Sequence, residues 1–295
     1  MEKLIRHLAG MEYALEEPLS KHTSFRIGGP AELMVFPRST RELAKALRAA
    51  QAEGIAPLIL GAGTNVLAPD EGLRGLVICT RDCLSGMKRR GSRITVKAGV
   101  LMSRAAVFAR DEGLGGMEFA HGIPGTVGGG IYMNAGAYGG ELRQIAVKTR
   151  VMDLAGEIHE YIGEEQGFGY RTSAFQALPC VILDTVFRLT PADPDAITAR
   201  MQELAAKRRA SQPLDMPSAG STFKRPVGGY AAALIEQAGL KGQGVGGAQV
   251  STKHAGFVVN TGGATARDVL ATIELIQKRV YETSGISLEP EVRIL

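Results

Sequence analysis

The chain has no tryptophan and only three cysteines among its 295 residues. Cys79, Cys83 and Cys180 are odd in number and lack C-x-x-C spacing, which disfavours a zinc site or a disulfide framework and leaves ordinary thiols in a reducing compartment. No run approaches the ~18 consecutive apolar residues of a membrane span. The start, Met1 to Gly10, carries charge throughout and has no apolar segment of a secretion signal. A cytoplasmic protein without a membrane partner is therefore expected. Charge of one sign is also scarce: 34 Lys and Arg face 30 Asp and Glu, a net +4. The densest basic clusters, Lys88–Arg90 and Lys207–Arg209, have no interleaved aromatics, so nucleic acid is not an expected partner. A mild basic excess suits a small anionic substrate. The Walker A pattern and the G-x-S-x-G elbow are both absent. His22, His121 and His254 each stand alone, without a second His or Cys at ligand spacing, and no metal is expected.

Glycine, in contrast, is abundant at 38 residues. Its densest stretch runs from Gly122 to Gly140. Each glycine loses more backbone freedom on folding than any other residue, and the return is main chain that adopts positive φ and approaches a ligand closely. Successive N–H groups in such turns can converge on a phosphate. A ligand-free surface loop is the alternative, but Ile123, Val127, Ile131, Tyr132 and Met133 suggest burial. A second glycine turn, Gly61-Ala62-Gly63-Thr64-Asn65, follows a predicted strand. The dinucleotide fingerprint would need glycine where Val66 stands, and Pro69-Asp70-Glu71-Gly72 prevents a long helix, so the nicotinamide-type fold is disfavoured. Two such turns suit a pyrophosphate gripped from two sides.

The chain is long for one core, and two or three domains are expected. Strands are predicted over 31–36, 56–60, 75–79, 93–97, 146–154, 157–161 and 181–189, giving an α+β first part with a mixed sheet. Ser39 to Glu42 is a capping box for a helix bearing Leu43, Leu47 and Ala50. Another helix runs from Ser103 to Glu112. A boundary falls near 190, where Asp193 and Pro194 open a helix. Beyond it come a helix over 230–237, a strand over 256–260, a helix capped by Thr265 to Asp268, and terminal strand over 286–288 and 291–295. Arg171, within Phe168–Phe175, offers a rigid fork of donors for a carboxylate or phosphate, or is an exposed loop arginine. Ser221 and Lys224 lie in an irregular turn between Pro217 and Pro226, where serine commonly serves the turn itself. Glu291 stands between a proline and the last strand. Lys224, Arg225 and Lys253 are basic residues that either meet an anionic group or face solvent.

Taken in order, these segments resemble the UDP-N-acetylenolpyruvoylglucosamine reductase family. Thr23 to Gly29, the two glycine turns, Asn134 to Gly139, Tyr170-Arg171, Ala219 to Lys224 and Glu289 to Arg293 match its motifs along nearly the whole chain. The resemblance implies an α+β architecture with a vanillyl-alcohol-oxidase/PCMH-type FAD-binding domain and a smaller α+β substrate-binding domain. It places the flavin region at 1–190, as two subdomains of roughly 1–65 and 66–190, and the substrate domain at 191–295. The N-terminal signature and both glycine turns would lie in the flavin half. The implied reaction is NADPH-dependent reduction of a UDP-sugar enolpyruvyl ether for peptidoglycan precursors, on non-covalent FAD, by a monomer. Arg171 and Glu291 would be catalytic and Ser221 the proton donor. Gly61, Ala62, Gly63, Thr64, Asn65, Ile123, Pro124, Gly125, Thr126, Gly128, Gly129, Asn134, Gly136 and Ala137 would hold the cofactor, and Tyr170, Lys224 and Arg225 the substrate. One branch of the family carries a tyrosine-bearing insertion after the strand matching 181–189. Here Pro191 to Pro194 leads straight into a helix, so the chain resembles the shorter branch. That other branch also has Asn where Arg225 stands. The competing readings are a flavin oxidoreductase of the same fold acting on an alcohol or sugar lactone, and a non-catalytic nucleotide-binding protein.

Overall fold

The structure, a computed structural model, describes residues 1–295. The chain forms two compact units, each with its own apolar core. The first comprises residues 1–15, 33–62 and 75–207, and the second 16–32, 63–74 and 208–295.

In the first unit, helix Thr40–Ala52 begins as the sequence predicts. Ser39 Oγ accepts from Glu42 N at 3.1 Å, but the Glu42 carboxylate accepts from Arg38 N at 2.8 Å, one residue earlier than a reciprocal box requires. Leu43, Leu47 and Ala50 are fully buried on its inner face. The strands Glu12–Pro18, Pro30–Phe36, Leu73–Cys79 and Leu58–Leu60 form a four-stranded sheet in that order. Leu58–Leu60 runs parallel to Val77–Cys79. A second sheet is antiparallel throughout, in the order Ile158–Ile162, Ala146–Asp153, Cys180–Arg188, Arg93–Lys97, Met87–Arg90. Helices Met102–Asp111 and Val127–Tyr132 contribute Met102, Val127 and Ile131 to the same core as Ile94, Val96 and Phe187. The glycine-rich stretch is thus partly helical, where the sequence suggests only turns. Glycine is a poor helix former, and tertiary contact overrides the propensity: Gly128 packs on Ala98, and Gly130 on Met102 and Leu142.

The second unit is built on helices Ala231–Gln237 and Ala266–Ser284 and the antiparallel strands Gly244–Val245, Ala248–Val250 and Val258–Asn260. Thr265 and Asp268 form a full capping box at 3.1 and 3.0 Å. Asp70, nearly 200 positions earlier, caps the same helix: its carboxylate accepts from Ala266 N at 2.7 Å and Arg267 N at 3.1 Å. Val269, Ile273, Ile276 and Val280 line the buried face as expected.

Two expectations differ from this arrangement. A single break near 190 does not describe the compact units. Helix Pro194–Ser211 starts at Asp193 and Pro194 as predicted, but its Ile197 and Met201 complete the first core, while Phe25, Ile27 and Leu67 complete the second. At the end of the chain only Arg293–Ile294 is strand, parallel to Val66–Leu67; residues 286–288 are not.

A charge row crosses the five-stranded sheet. Asp184 pairs in register with Lys97 on one side and Arg150 on the other. Its carboxylate is 1% exposed and accepts from Arg150 Nε at 2.8 Å, Arg150 Nη2 at 2.5 Å and Lys97 Nζ at 3.1 Å. Burial by itself would raise its pKa, but the hydrogen bonds from Arg150 and Lys97 outweigh burial and hold it below 3.8. The stabilisation is therefore complete above the unfolded value and disappears as pH falls through the depressed one. Asp184→Asn is expected to cost about 2–3 kcal/mol at pH 7. Urea titrations of both proteins should converge as the pH drops below 3.8; a difference that persists undiminished in acid would contradict the assignment.

Candidate functional site

Within the first unit the two glycine turns touch. A Cβ on Gly61 would lie 2.7 Å from Thr126 Oγ1. That hydroxyl is not free to move, because it caps helix Val127–Tyr132 by accepting from Gly129 N at 3.3 Å. Gly125 sits at φ +109°, a conformation that excludes side chains, and its carbonyl accepts from Met102 N at 3.0 Å. Val127 N and Gly128 N donate to Val100 O and Ala98 O, both at 2.8 Å. Gly128 is glycine because a Cβ would come within 2.9 Å of Ala98 Cβ, which is a packing reason. Gly129 is exposed and has no such reason. Ile123 is half-buried and Pro124 exposed.

Arg171 lies in the same unit, between Gly169 and Thr172, which form an antiparallel bridge. Its φ is +56°, rare for a residue with a side chain. The guanidinium donates from Nη2 to Gly136 O at 3.1 Å and lies 5.3 Å from the Tyr170 ring centroid. Tyr170 is exposed and Arg171 half-buried. Asn134, also at positive φ, is fully buried; Gly136 and Ala137 form a short strand paired with Gly140–Glu141.

The unit boundary falls inside the first glycine motif, between Ala62 and Gly63. Gly63 has φ +59°, and a Cβ there would strike His22 O at 2.0 Å. Its carbonyl accepts from Ser24 N at 3.0 Å, while Ser24 Oγ donates to Ser218 O at 2.6 Å. The N-terminal signature Thr23–Gly29 thus joins Gly63 to the serine segment within the second unit. Asn65 Nδ2 donates to Glu291 O at 3.2 Å, and Arg293 N to Asn65 O at 3.0 Å. Glu291 N donates to Thr222 O at 2.8 Å, and Lys224 N to Glu289 O at 2.8 Å. Ser221 and Glu291 are therefore brought onto two adjoining, hydrogen-bonded segments. Ser221 is exposed and Glu291 half-buried. Lys224 forms an ion pair with Glu289, and Arg225 stacks 4.0 Å from the Tyr230 ring centroid. Lys253 Nζ donates to Arg209 O at 2.6 Å. His254 Nδ1 accepts from Gly256 N at 3.1 Å, and burial lowers its pKa, so this imidazole is a neutral turn acceptor.

A family model for the C-terminal domain of UDP-N-acetylenolpyruvoylglucosamine reductase matches residues 212–295, and one for an FAD binding domain matches residues 31–161. The reductase of Limosilactobacillus fermentum is 45% identical over 296 residues, covering 100% of this chain and 98% of its own. That of Geobacillus kaustophilus is 44% identical over 280 residues, with 95% and 92% covered. The chain belongs to the UDP-N-acetylenolpyruvoylglucosamine reductase family. The crystal structure of the Thermus caldophilus reductase matches with a TM-score of 0.79 at 34% identity, over 96% of this chain and 98% of that one. The protein is an FAD-dependent oxidoreductase of cell-wall synthesis, with a PCMH-type FAD-binding domain and a C-terminal substrate-binding domain. The turns fit such a cofactor, because Gly129 is exposed with no packing reason to be glycine, while Gly61 leaves no side chain over the Thr126 hydroxyl.

Sequence reasoning missed Asp70 and Gln176, a half-buried residue whose Nε2 donates to Arg171 O at 3.1 Å. No local signal marks either, since both act through partners set by the fold.

Two glycine substitutions separate ligand approach from packing. Gly61→Ala should strip the purified protein of flavin absorbance, because the new methyl meets a fixed hydroxyl. At Gly129 an added Cβ has ordinary clearance, 3.6 Å from Thr126 Oγ1. Without a ligand Gly129→Ala should stabilise the helix by up to about 1 kcal/mol. FAD affinity lower by about tenfold, measured by fluorescence titration of apoprotein, would be the cofactor's signature there; unchanged affinity would place the cofactor elsewhere.

Proposed function

We propose that the protein reduces UDP-N-acetylenolpyruvoylglucosamine to UDP-N-acetylmuramate with NADPH, on non-covalently bound FAD. The observation that carries the assignment of residues is that the motif side chains sit on fixed backbone. Arg171 is held at a left-handed φ, and Ser221 is one residue from the carbonyl that receives the Glu291 N–H. The two glycine turns, Gly61 to Asn65 and Ile123 to Gly129, with Gly136 and Ala137, would hold the cofactor. When bound, FAD carries reducing equivalents from NADPH to the enolpyruvyl group.

Reduction at C3 of the enolpyruvyl ether leaves negative charge on C2 and the carboxylate. Arg171 meets that charge with a planar fork of donors. A preorganised donor of this kind lowers the barrier by about 3–4 kcal/mol. Ser221 delivers the proton to C2, and a positioned general acid gives about 10²–10⁴-fold. Serine is a weak acid, so its benefit comes from placement beside a strongly basic enolate. An ionised Glu291 would repel that enolate, so it acts protonated or by orienting a neighbour. Tyr170, Lys224 and Arg225 are the candidates for gripping the sugar nucleotide, the last two for its diphosphate. A cytoplasmic monomer is the simplest form consistent with this role, and no helix is long and apolar enough to cross a membrane.

Ser221→Ala is expected to keep flavin reduction by NADPH and to lose turnover of the sugar nucleotide. Anaerobic stopped-flow measures both half-reactions; equal slowing of the two would remove Ser221 from the proton-donor role.

A further inference from the structure

We propose that Gln176 and Asn134 are positioning residues for Arg171, holding its turn in the one conformation that presents the guanidinium. The proposal rests on the assignment of Arg171 given above. Arg171 occupies a position of its turn that needs positive φ, where glycine or asparagine is the usual residue. A side chain held there by its surroundings is a common mark of functional strain. The turn itself is slight: Gly169 N donates to Thr172 O at 3.0 Å, and the return bond is 3.4 Å. Something else must hold it.

Two amide side chains do so. Gln176 Nε2 donates to Arg171 O at 3.1 Å and to Tyr132 O at 2.9 Å. It thereby ties the strained residue to the last residue of helix Val127–Tyr132. Ser173 Oγ donates to the same Tyr132 carbonyl at 2.8 Å. Asn134 Nδ2 donates to Gly169 O at 2.8 Å and to Glu141 Oε2 at 2.9 Å, and its Oδ1 accepts from Arg143 N at 2.9 Å. Both amide hydrogens of Asn134 are used inside the protein, and the residue is fully buried. Its side chain braces the arginine turn, which accounts for an asparagine in the motif without a cofactor contact. The guanidinium is steadied from the same stretch, through Gly136 O at 3.1 Å. The helix whose first turn carries the second glycine bend therefore leads directly into Asn134 and Gly136, which brace the Arg171 turn and its guanidinium.

The test uses flavin-loaded enzyme in anaerobic stopped-flow. Gln176→Ala should be reduced by NADPH within about twofold of the parent, while reoxidation by the enolpyruvyl sugar nucleotide slows about 10–100-fold, the cost of a misplaced group. Gln176→Lys, which keeps a donor within reach of both carbonyls, should recover most of the loss, and Gln176→Glu, which cannot donate when ionised, should not. Asn134→Gly keeps the positive φ without strain and should slow the same half-reaction. In an Arg171→Ala background Gln176→Ala should add less than about twofold, because a residue acting through Arg171 has nothing left to position. Full additivity in that background, or equal slowing of both half-reactions, overturns the proposal while leaving Arg171 in its role. If Arg171→Ala alone leaves reoxidation unchanged, the assignment of Arg171 and the proposal fall together.

Discussion

What the first unit can offer a dinucleotide depends on the contact between Gly61 and Thr126. At this point two segments distant in sequence approach so closely that a methyl group would collide with a hydroxyl. The hydroxyl cannot yield without uncapping helix Val127–Tyr132. That helix is weakly inclined to form, since three of its six residues are glycine. Packing on Ala98, just past the strand Arg93–Lys97, and on Met102 sustains it, and the same packing fixes which amides are consumed. The glycine turn, the helix and the residues packed beneath it are therefore one mechanical object.

The second consequence runs from that helix to Arg171. A residue with a side chain at φ +56° costs about 1–3 kcal/mol, and neighbours must over-determine it. Here Tyr132 O, Asn134 and Gly136 O belong to the last residue of the helix and the few that follow it. In the second unit the logic repeats with different parts. Asn65 donates to the carbonyl of Glu291, and Glu291 in turn donates from its backbone to the residue after Ser221. Each motif asparagine thus has a side-chain partner on the backbone of a segment that carries a proposed catalytic residue.

Much of this was legible in the sequence where the cause is local. Ser39 with Glu42, Thr265 with Asp268, and Asp193 with Pro194 each announce a helix start, and each helix begins there. The strand over 93–97 follows from simple alternation. The parts that could not be read depend on distant partners. Asp70 caps a helix from the far side of the chain, Val66–Leu67 becomes strand only by pairing with Arg293–Ile294, and the helix inside the glycine stretch exists only because Ala98 and Met102 lie beneath it. The compact units follow the same rule: composition changes near 190, but burial of Ile197, Met201, Phe25 and Leu67 decides which core a segment joins. Among the site residues, the types were readable and their duties were not. The structure adds duties the sequence did not announce: Gly128 packs on Ala98, and Asn134 braces a turn.

Hydrogen–deuterium exchange of apoprotein with and without FAD tests the central claim most directly. If bare backbone from both glycine turns clasps the cofactor, peptides covering Gly61–Asn65 and Gly122–Thr126 should gain protection together on adding FAD. Protection of one turn with the other unchanged, or of neither, would contradict the account.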